Sequence, residues 1–145
     1  MKRFIIYILV IIFSLEIIYG SAIMRQPNIQ KKLFFFTLKF AKEGNYKAQY
    51  DLANLYKYGR GVAVNLKEAF HLYHLSALKG YPPAQYQLGM AFRYGLGVKA
   101  NQELARYWLR KSAKNHYTHA QRIFKTYYAK KRVIRQYRFA SAIDY

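Results

Sequence analysis

The sequence predicts an all-α fold: an α/α superhelix, or solenoid, of two full helix–turn–helix repeats with capping helices on either side. Two observations carry this. Residues 44–79 recur as residues 80–115, at a spacing of 36 residues, with identities that include Gly44/Gly80, Ala48/Ala84, Gln49/Gln85, Tyr50/Tyr86, Leu52/Leu88, Gly59/Gly95, Gly61/Gly97, Asn65/Asn101, Ala69/Ala105 and Ala77/Ala113. Self-similarity at this period marks stacked units, none of which buries its apolar face alone. Second, apolar residues fall at helical spacing between glycine and asparagine stops.

The elements follow in order. Lys31 to Glu43 carries Leu33, Phe34, Leu38 and Ala41 at helical spacing, and Gly44 stops it as a left-handed cap. Residues 23–30 before it read as a linker, so 23–43 forms linker plus N-terminal cap. In the first repeat, Lys47 to Tyr58 sets Ala48, Leu52, Leu55 and Tyr56 on one face. Gly59-Arg60-Gly61 breaks that helix, because glycine adopts backbone angles other residues resist. Asn65 is an N-cap for the next helix, with Glu68 three residues on as in a capping box. The second repeat uses the same grammar: Pro82-Pro83 opens its first helix, Gly95-Leu96-Gly97 ends it, and Asn101 caps the second. The alanines let helices approach closely, while Leu52, Tyr56, Leu88, Phe92 and Trp108 fill the layer between them. A third copy begins with Ala120 and Phe124, then loses its glycines to Lys131 and Val133. Residues 116–145 therefore read as a divergent basic C-terminal cap, its helix running roughly over 118–137.

Composition limits the partner. The chain has 145 residues and a formal net charge of +19. From Leu104 onward there are eleven Lys/Arg and one Asp. Such a field favours anionic partners. No cysteine occurs, which excludes disulfides, thiolate metal sites and a cysteine nucleophile. Residues 1–22 read as an export signal: Lys2 and Arg3, then the apolar run from Phe4 to Phe13, then Gly20-Ser21-Ala22 as small residues at a cleavage point. The predicted location is periplasmic or secreted. The competing reading is an uncleaved inner-membrane anchor over residues 4–23, since Leu15, Ile17, Ile18 and Tyr19 extend the apolarity although Glu16 interrupts it.

Groups that could carry chemistry are sparse. No Ser/His/acid set stands out, and Gly59-Arg60-Gly61 lacks the Lys-Ser/Thr of a phosphate loop. Ser76-Ala77-Leu78-Lys79 matches Ser-x-x-Lys, but its counterpart at Ser112 has Asn115 in place of lysine. His71/His74 and His116/His119 have the i, i+3 spacing of two ligands on one helical face, yet no carboxylate lies nearby in sequence to complete either site. The expectation is no catalytic residue, no metal and no cofactor.

The repeated residues resemble the Sel-one-like repeat (SLR) family, relatives of the tetratricopeptide repeats. The pattern Ala-x-Tyr-x-Leu-Gly, then Gly-x-Gly-Val, then alanine, aromatics and a small pair is matched by Ala84, Tyr86, Leu88, Gly89, Phe92, Gly95, Gly97, Val98, Ala105, Trp108 and Ala113. The first copy matches with Ala48, Tyr50, Leu52, Tyr56, Gly59, Gly61, Val62, Ala69, Tyr73 and Ala77, and departs with Ala53 where glycine is usual. The resemblance implies a scaffold for protein complexes, with bacterial members often exported. By analogy with tetratricopeptide stacks, the first helix of each pair lines a concave groove. That places Lys47, Asn54, Lys57, Met90 and Arg93 toward a protein or peptide ligand, whose acidic groups lysine and arginine would bind.

The leading reading is an exported, non-enzymatic scaffold that holds an acidic or extended peptide segment in a short groove. The alternative is an envelope-associated basic protein that binds anionic lipid or polyanion through Lys130, Lys131, Arg132 and Arg135. A nucleic-acid role for that aromatic and basic stretch is disfavoured by the export signal, and a β-lactamase-like hydrolase by the missing cysteines and nucleophile. With two full repeats, the flanking helices must supply much of the core. Deleting residues 117–145 is therefore expected to abolish the cooperative thermal melt; a truncated chain that still melts cooperatively contradicts this.

Overall fold

The computed structural model describes residues 26–128, with Gly20 before them. Six α-helices occur there in chain order. They are α1 Pro27–Lys42, α2 Tyr46–Tyr58, α3 Leu66–Leu78, α4 Pro82–Tyr94, α5 Gln102–Lys114 and α6 Thr118–Ile123, the last running into a π-helical turn, Phe124–Tyr128. Each helix packs on the next, and the pairs α2–α3 and α4–α5 are the two repeats of the α/α solenoid. The first helix starts at Pro27, inside the stretch read as linker. Proline opens it because its preset backbone angle suits a first turn that needs no N–H partner. Of the C-terminal helix expected over 118–137, residues beyond 128 lie outside the described residues.

The chain between elements closes by the same hydrogen bonds in each copy. After α1, the N–H groups of Gly44 and Asn45 donate back to the carbonyls of Ala41 and Phe40. After α3, Gly80 and Tyr81 donate to Ala77 and Ser76, and after α5, His116 and Tyr117 donate to Ala113 and Ser112. This helix-ending turn needs a positive φ at its first residue. Gly44 and Gly80 supply it at φ 84° and 87°, and His116 holds it at 61°. A non-glycine residue there costs about 1 kcal/mol. His116 thus occupies a turn before α6, so the pairing of His116 and His119 on one helical face does not form.

Helix starts are also built as the spacing predicts. The Asn65 side chain accepts from the Glu68 N–H at 3.1 Å, and Asn101 accepts from Glu103 and Leu104 at 3.0 Å each. Such caps contribute about 1 kcal/mol apiece.

Glycine is decisive where the repeats touch. A Cβ on Gly97 would overlap the carbonyl of Leu66, the first residue of α3, and one on Gly61 would overlap the carbonyl of Gln30 in α1. Gln30 lies 36 residues before Leu66. Hence α1 occupies the place of a second helix in a preceding copy, just as α6 begins the first helix of a following one. The described chain is half a repeat, two whole repeats and a further half.

Polar bonds set the register, buried at Gln49 and Gln85 and exposed at Gln121. Gln49 donates through Nε2 to the Ala41 carbonyl, Gln85 to Ala77 and Gln121 to Ala113, each at 3.3 Å. Within repeats, Ser76 Oγ donates to the Tyr46 carbonyl and Ser112 Oγ to that of Pro82, both at 2.7 Å. Ser76 is thereby a buried structural donor. Around these bonds Leu52, Ala53, Ala77, Ala84, Leu88, Ala105, Leu109 and Ala120 are all but sealed from water. Burying each leucine contributes roughly 2 kcal/mol.

One side-chain bond at the glutamine is present in the second copy and missing from the first. Asn115 Nδ2 donates to Gln85 Oε1 at 3.0 Å. Lys79 stands at the equivalent place in the first copy, and Gln49 Oε1 is buried without a partner. Lys79→Asn is expected to restore the bond and stabilise the fold by about 1 kcal/mol, read as a higher urea midpoint at unchanged m-value. A midpoint at or below that of the wild type contradicts this.

Candidate functional site

The solenoid sets α2 and α4, the first helices of the two repeats, beside one another, and a cleft of about 520 Å³ opens along them. Leu33 and Thr37 of α1 form one wall. Tyr50, Asp51, Asn54, Leu55 and Tyr58 of α2 form the floor, with Arg60 of the following turn and Gln87 of α4 completing it.

The cleft arises where the copies differ. One repeat further on, Tyr73 stands at the register of Thr37 and Met90 at that of Asn54. Threonine and asparagine are shorter, so the space stays open. Thr37 turns its hydroxyl inward, donating to the Leu33 carbonyl at 2.8 Å. Asn54 is held from below: the Tyr73 hydroxyl donates to its Oδ1 at 2.6 Å. That bond leaves the Asn54 side-chain NH2 as a donor directed by a buried ring.

Aromatic rings continue the surface. The Tyr50 ring lies 5.3 Å from Tyr81 and 5.7 Å from Tyr73, and Tyr86 lies 5.4 Å from Tyr117. Tyr50/Tyr81 and Tyr86/Tyr117 are the same pair one repeat apart. Burial first, then neighbouring phenols, raises the hydroxyl pKa of Tyr73, most strongly, and of Tyr117. Burial also leads the upward shifts of Tyr81 and Tyr86. At neutral pH these groups are uncharged donors.

Charge is arranged around the rings. Lys57 Nζ donates to Gln87 Oε1 at 3.1 Å, bridging α2 to α4, and lies 5.0 Å from the Tyr58 ring centre. Arg60 lies 5.6 Å from the same ring. Arg93 repeats the arrangement 36 residues later, 5.2 Å from the Tyr94 ring. Such cation–ring contacts contribute about 0.5–1 kcal/mol at exposed sites. Asp51, at the mouth, has its carboxyl pKa raised by partial burial.

The structure thus places the five groove residues differently. Asn54 lines the cleft, Lys57 sits at its edge, and Arg93 holds the equivalent edge in the second repeat. Met90 is half-buried, and Lys47 is exposed at the start of α2; neither lines the cleft. Asp51, Tyr58, Arg60 and Gln87 also line the site and were not expected from the sequence, while Tyr50, which read equally as groove border and as packing, lines it too. The contrast between the copies at Asp51/Gln87 and Arg60/Leu96 was a usable signal; Leu33 and Thr37 had none, because the preceding half-repeat was not recognisable. The basic set Lys130, Lys131, Arg132 and Arg135 lies outside the described residues.

Of the histidines, His74 is half-buried in α3, parallel to Phe70 and edge-on to Trp108, while His71 is exposed. Among the described residues no three His, Cys, Asp or Glu side chains cluster as metal ligands. Nor is any helix there long and apolar enough to cross a membrane.

Paired helices stacked in register, with a ring-lined cleft along their first helices, define a helical repeat protein. The particular repeat is identified by comparison: the Sel1 repeat model matches residues 47–81 and 82–117. The chain is a Sel1-repeat protein. It is similar to the crystal structure of a Sel1 repeat protein from Oxalobacter formigenes, at 33% identity and TM-score 0.67, over 68% of this chain and 29% of that one. It is also similar to a protective antigen of uropathogenic Escherichia coli strains that displays an SLR fold, at 29% identity and TM-score 0.61, over 62% of this chain and 19% of that one. The chain thus spans less than a third of the length of either structure. No curated protein sequence matches it. Sel1 repeats generally serve as non-enzymatic scaffolds for protein–protein interaction.

Removing the hydroxyl that orients Asn54 tests the built character of the site. Tyr73→Phe is expected to cost about 1 kcal/mol in stability, measured by denaturant titration. An unchanged midpoint contradicts the assigned bond.

Proposed function

We propose that the protein is an exported, non-enzymatic scaffold whose cleft between α1, α2 and α4 holds a short extended segment of an acidic partner protein. The observation that carries this reading is the cleft itself: about 520 Å³, walled by Tyr50 and Tyr58, with an oriented amide at Asn54 and cations at its edge. Tyrosine supplies rigid contact area with a hydrogen-bonding end, a composition favoured at protein interfaces. Lys57 and Arg60 rest on a ring, which pre-positions them for carboxylates. The volume suits a few residues of extended chain rather than a domain. Export rests on the charged, apolar and small-residue order of residues 1–22; retention by an uncleaved anchor over residues 4–23 would leave the cleft on the same outer side.

A peptide array of acidic, neutral and basic octapeptides tests it. The wild-type protein is expected to retain the acidic set. Lys57→Glu with Arg60→Glu is expected to weaken that retention at least tenfold, since charge-assisted bonds contribute about 1.5–3 kcal/mol each. Thr37→Tyr, which restores a ring at the open place, is expected to block it without a change in net charge. Retention unaltered by both variants overturns the reading.

A further inference from the structure

Among the described residues, the preceding half-repeat leaves one helix face without its partner. In the first repeat Ala69, Leu72 and Ser76 of α3 are buried, at 2%, 7% and 0% exposure, in the pair with α2. In the second, Ala105, Trp108 and Ser112 of α5 are buried in the pair with α4. The same positions in α1 are Leu33, Phe36 and Phe40. Leu33 is 47% and Phe36 64% exposed, and Phe35 beside them is 65% exposed. Phe36 and Phe40 stack edge-on at 4.8 Å. Two large exposed rings on one turn of a small protein mark a contact surface.

The residues around those rings narrow the occupant. Lys31, Lys32, Lys39 and Lys42 are exposed on the same helix, against one acid, Glu43, at its end. A second copy would bring four lysines onto four lysines in a chain of net charge +19, which like-charge repulsion opposes. Aromatic side chains beside lysines on a helix lying along the surface are instead the make-up of an element seated in the headgroup region of a bilayer. There lysine stems lie flat and their ammonium groups reach phosphates.

We infer that α1 is a membrane-surface contact, seating Phe35 and Phe36 in an anionic lipid headgroup layer while Lys31, Lys32, Lys39 and Lys42 pair with lipid phosphates. This surface is separate from the basic stretch at residues 130–135 and does not rest on the peptide reading of the cleft. It belongs to α1 whether or not residues 1–22 are removed. Seated this way, the outermost helix of the stack would hold the protein at the membrane with the following repeats projecting from it.

Because the chain lacks cysteine, a single introduced thiol reports one position. The full chain carrying Phe36→Cys is labelled with an environment-sensitive fluorophore and mixed with phosphatidylglycerol–phosphatidylcholine vesicles. His71→Cys, one repeat on from Phe35 and exposed on α3, is the control. The label at 36 is expected to brighten several-fold and shift to the blue on anionic vesicles, and not on pure phosphatidylcholine, while the label at 71 stays unchanged. Lys32→Gln with Lys39→Gln is expected to raise the vesicle concentration needed for half of that signal roughly thirtyfold, from about 1 kcal/mol per lysine, and salt near 1 M to abolish it, because screening then acts within about 3 Å. A label at 36 that remains water-exposed while the protein sediments with vesicles overturns the inference. So does a label already shielded without lipid, which would mean that a protein segment covers the face.

Discussion

Three hydrogen bonds, from Gln49 to Ala41, Gln85 to Ala77 and Gln121 to Ala113, hold the stack in register. Each joins the first helix of one unit to the last turn of the unit before it. The acceptors are carbonyls at helix ends that also receive the turn N–H groups of Gly44, Gly80 and His116. Sliding one unit along its neighbour would orphan the glutamine amides, and at Gln49 and Gln85, which are buried, an unpaired amide costs more than an ordinary hydrogen bond contributes. Apolar packing of Leu52, Leu88 and Leu109 drives the helices together but is tolerant of small shifts; the glutamines are not. The glycines at 61 and 97 belong to the same constraint, since only a residue without Cβ lets the turn reach the neighbouring helix start.

With register imposed, function falls to the positions that the repeat leaves free. The first copy departs from the second at Asp51, Asn54 and Arg60, and the half-copy before it departs at Leu33, Thr37 and Phe36. The first group and its neighbours on α1 shape the cleft; the second also bares the face of α1. Both features lie toward the N-terminal end of the described stack, where only half of a preceding unit stands among the described residues. Repetition builds the frame, and its interruption supplies surfaces that internal units cover.

The helices, their order and most caps were legible in the sequence because they depend on local rules. Asn65 and Asn101 cap, Gly59 and Gly95 stop, and Pro82 starts a helix wherever they occur. The glutamine pair was visible as an identity, but its role was not, since its acceptor lies across a unit boundary. The turn at His116 was misread through its spacing to His119, because the glycine that marks the place in Gly44 and Gly80 had been replaced. Of the groove residues, Asn54 and Lys57 came from contrast and analogy with the first helix, while Tyr50 read equally as groove border and as packing. Its ring is half-buried and that of Tyr58 is exposed, and only packing reveals which edge of each remains open.

The sequence by itself determined a helical repeat of period 36, its turn chemistry, its strong positive charge and the absence of any thiol chemistry. These follow from composition and from interactions within a few residues. Tertiary structure alone decided that α1 is half of a preceding unit, that the cleft opens beside Thr37 rather than at the lysine-rich start of α2, and that Phe36 faces outward. Whether an apolar side chain is core or surface depends on the presence of a neighbouring helix, and periodicity records the face of a helix but not what stands opposite it.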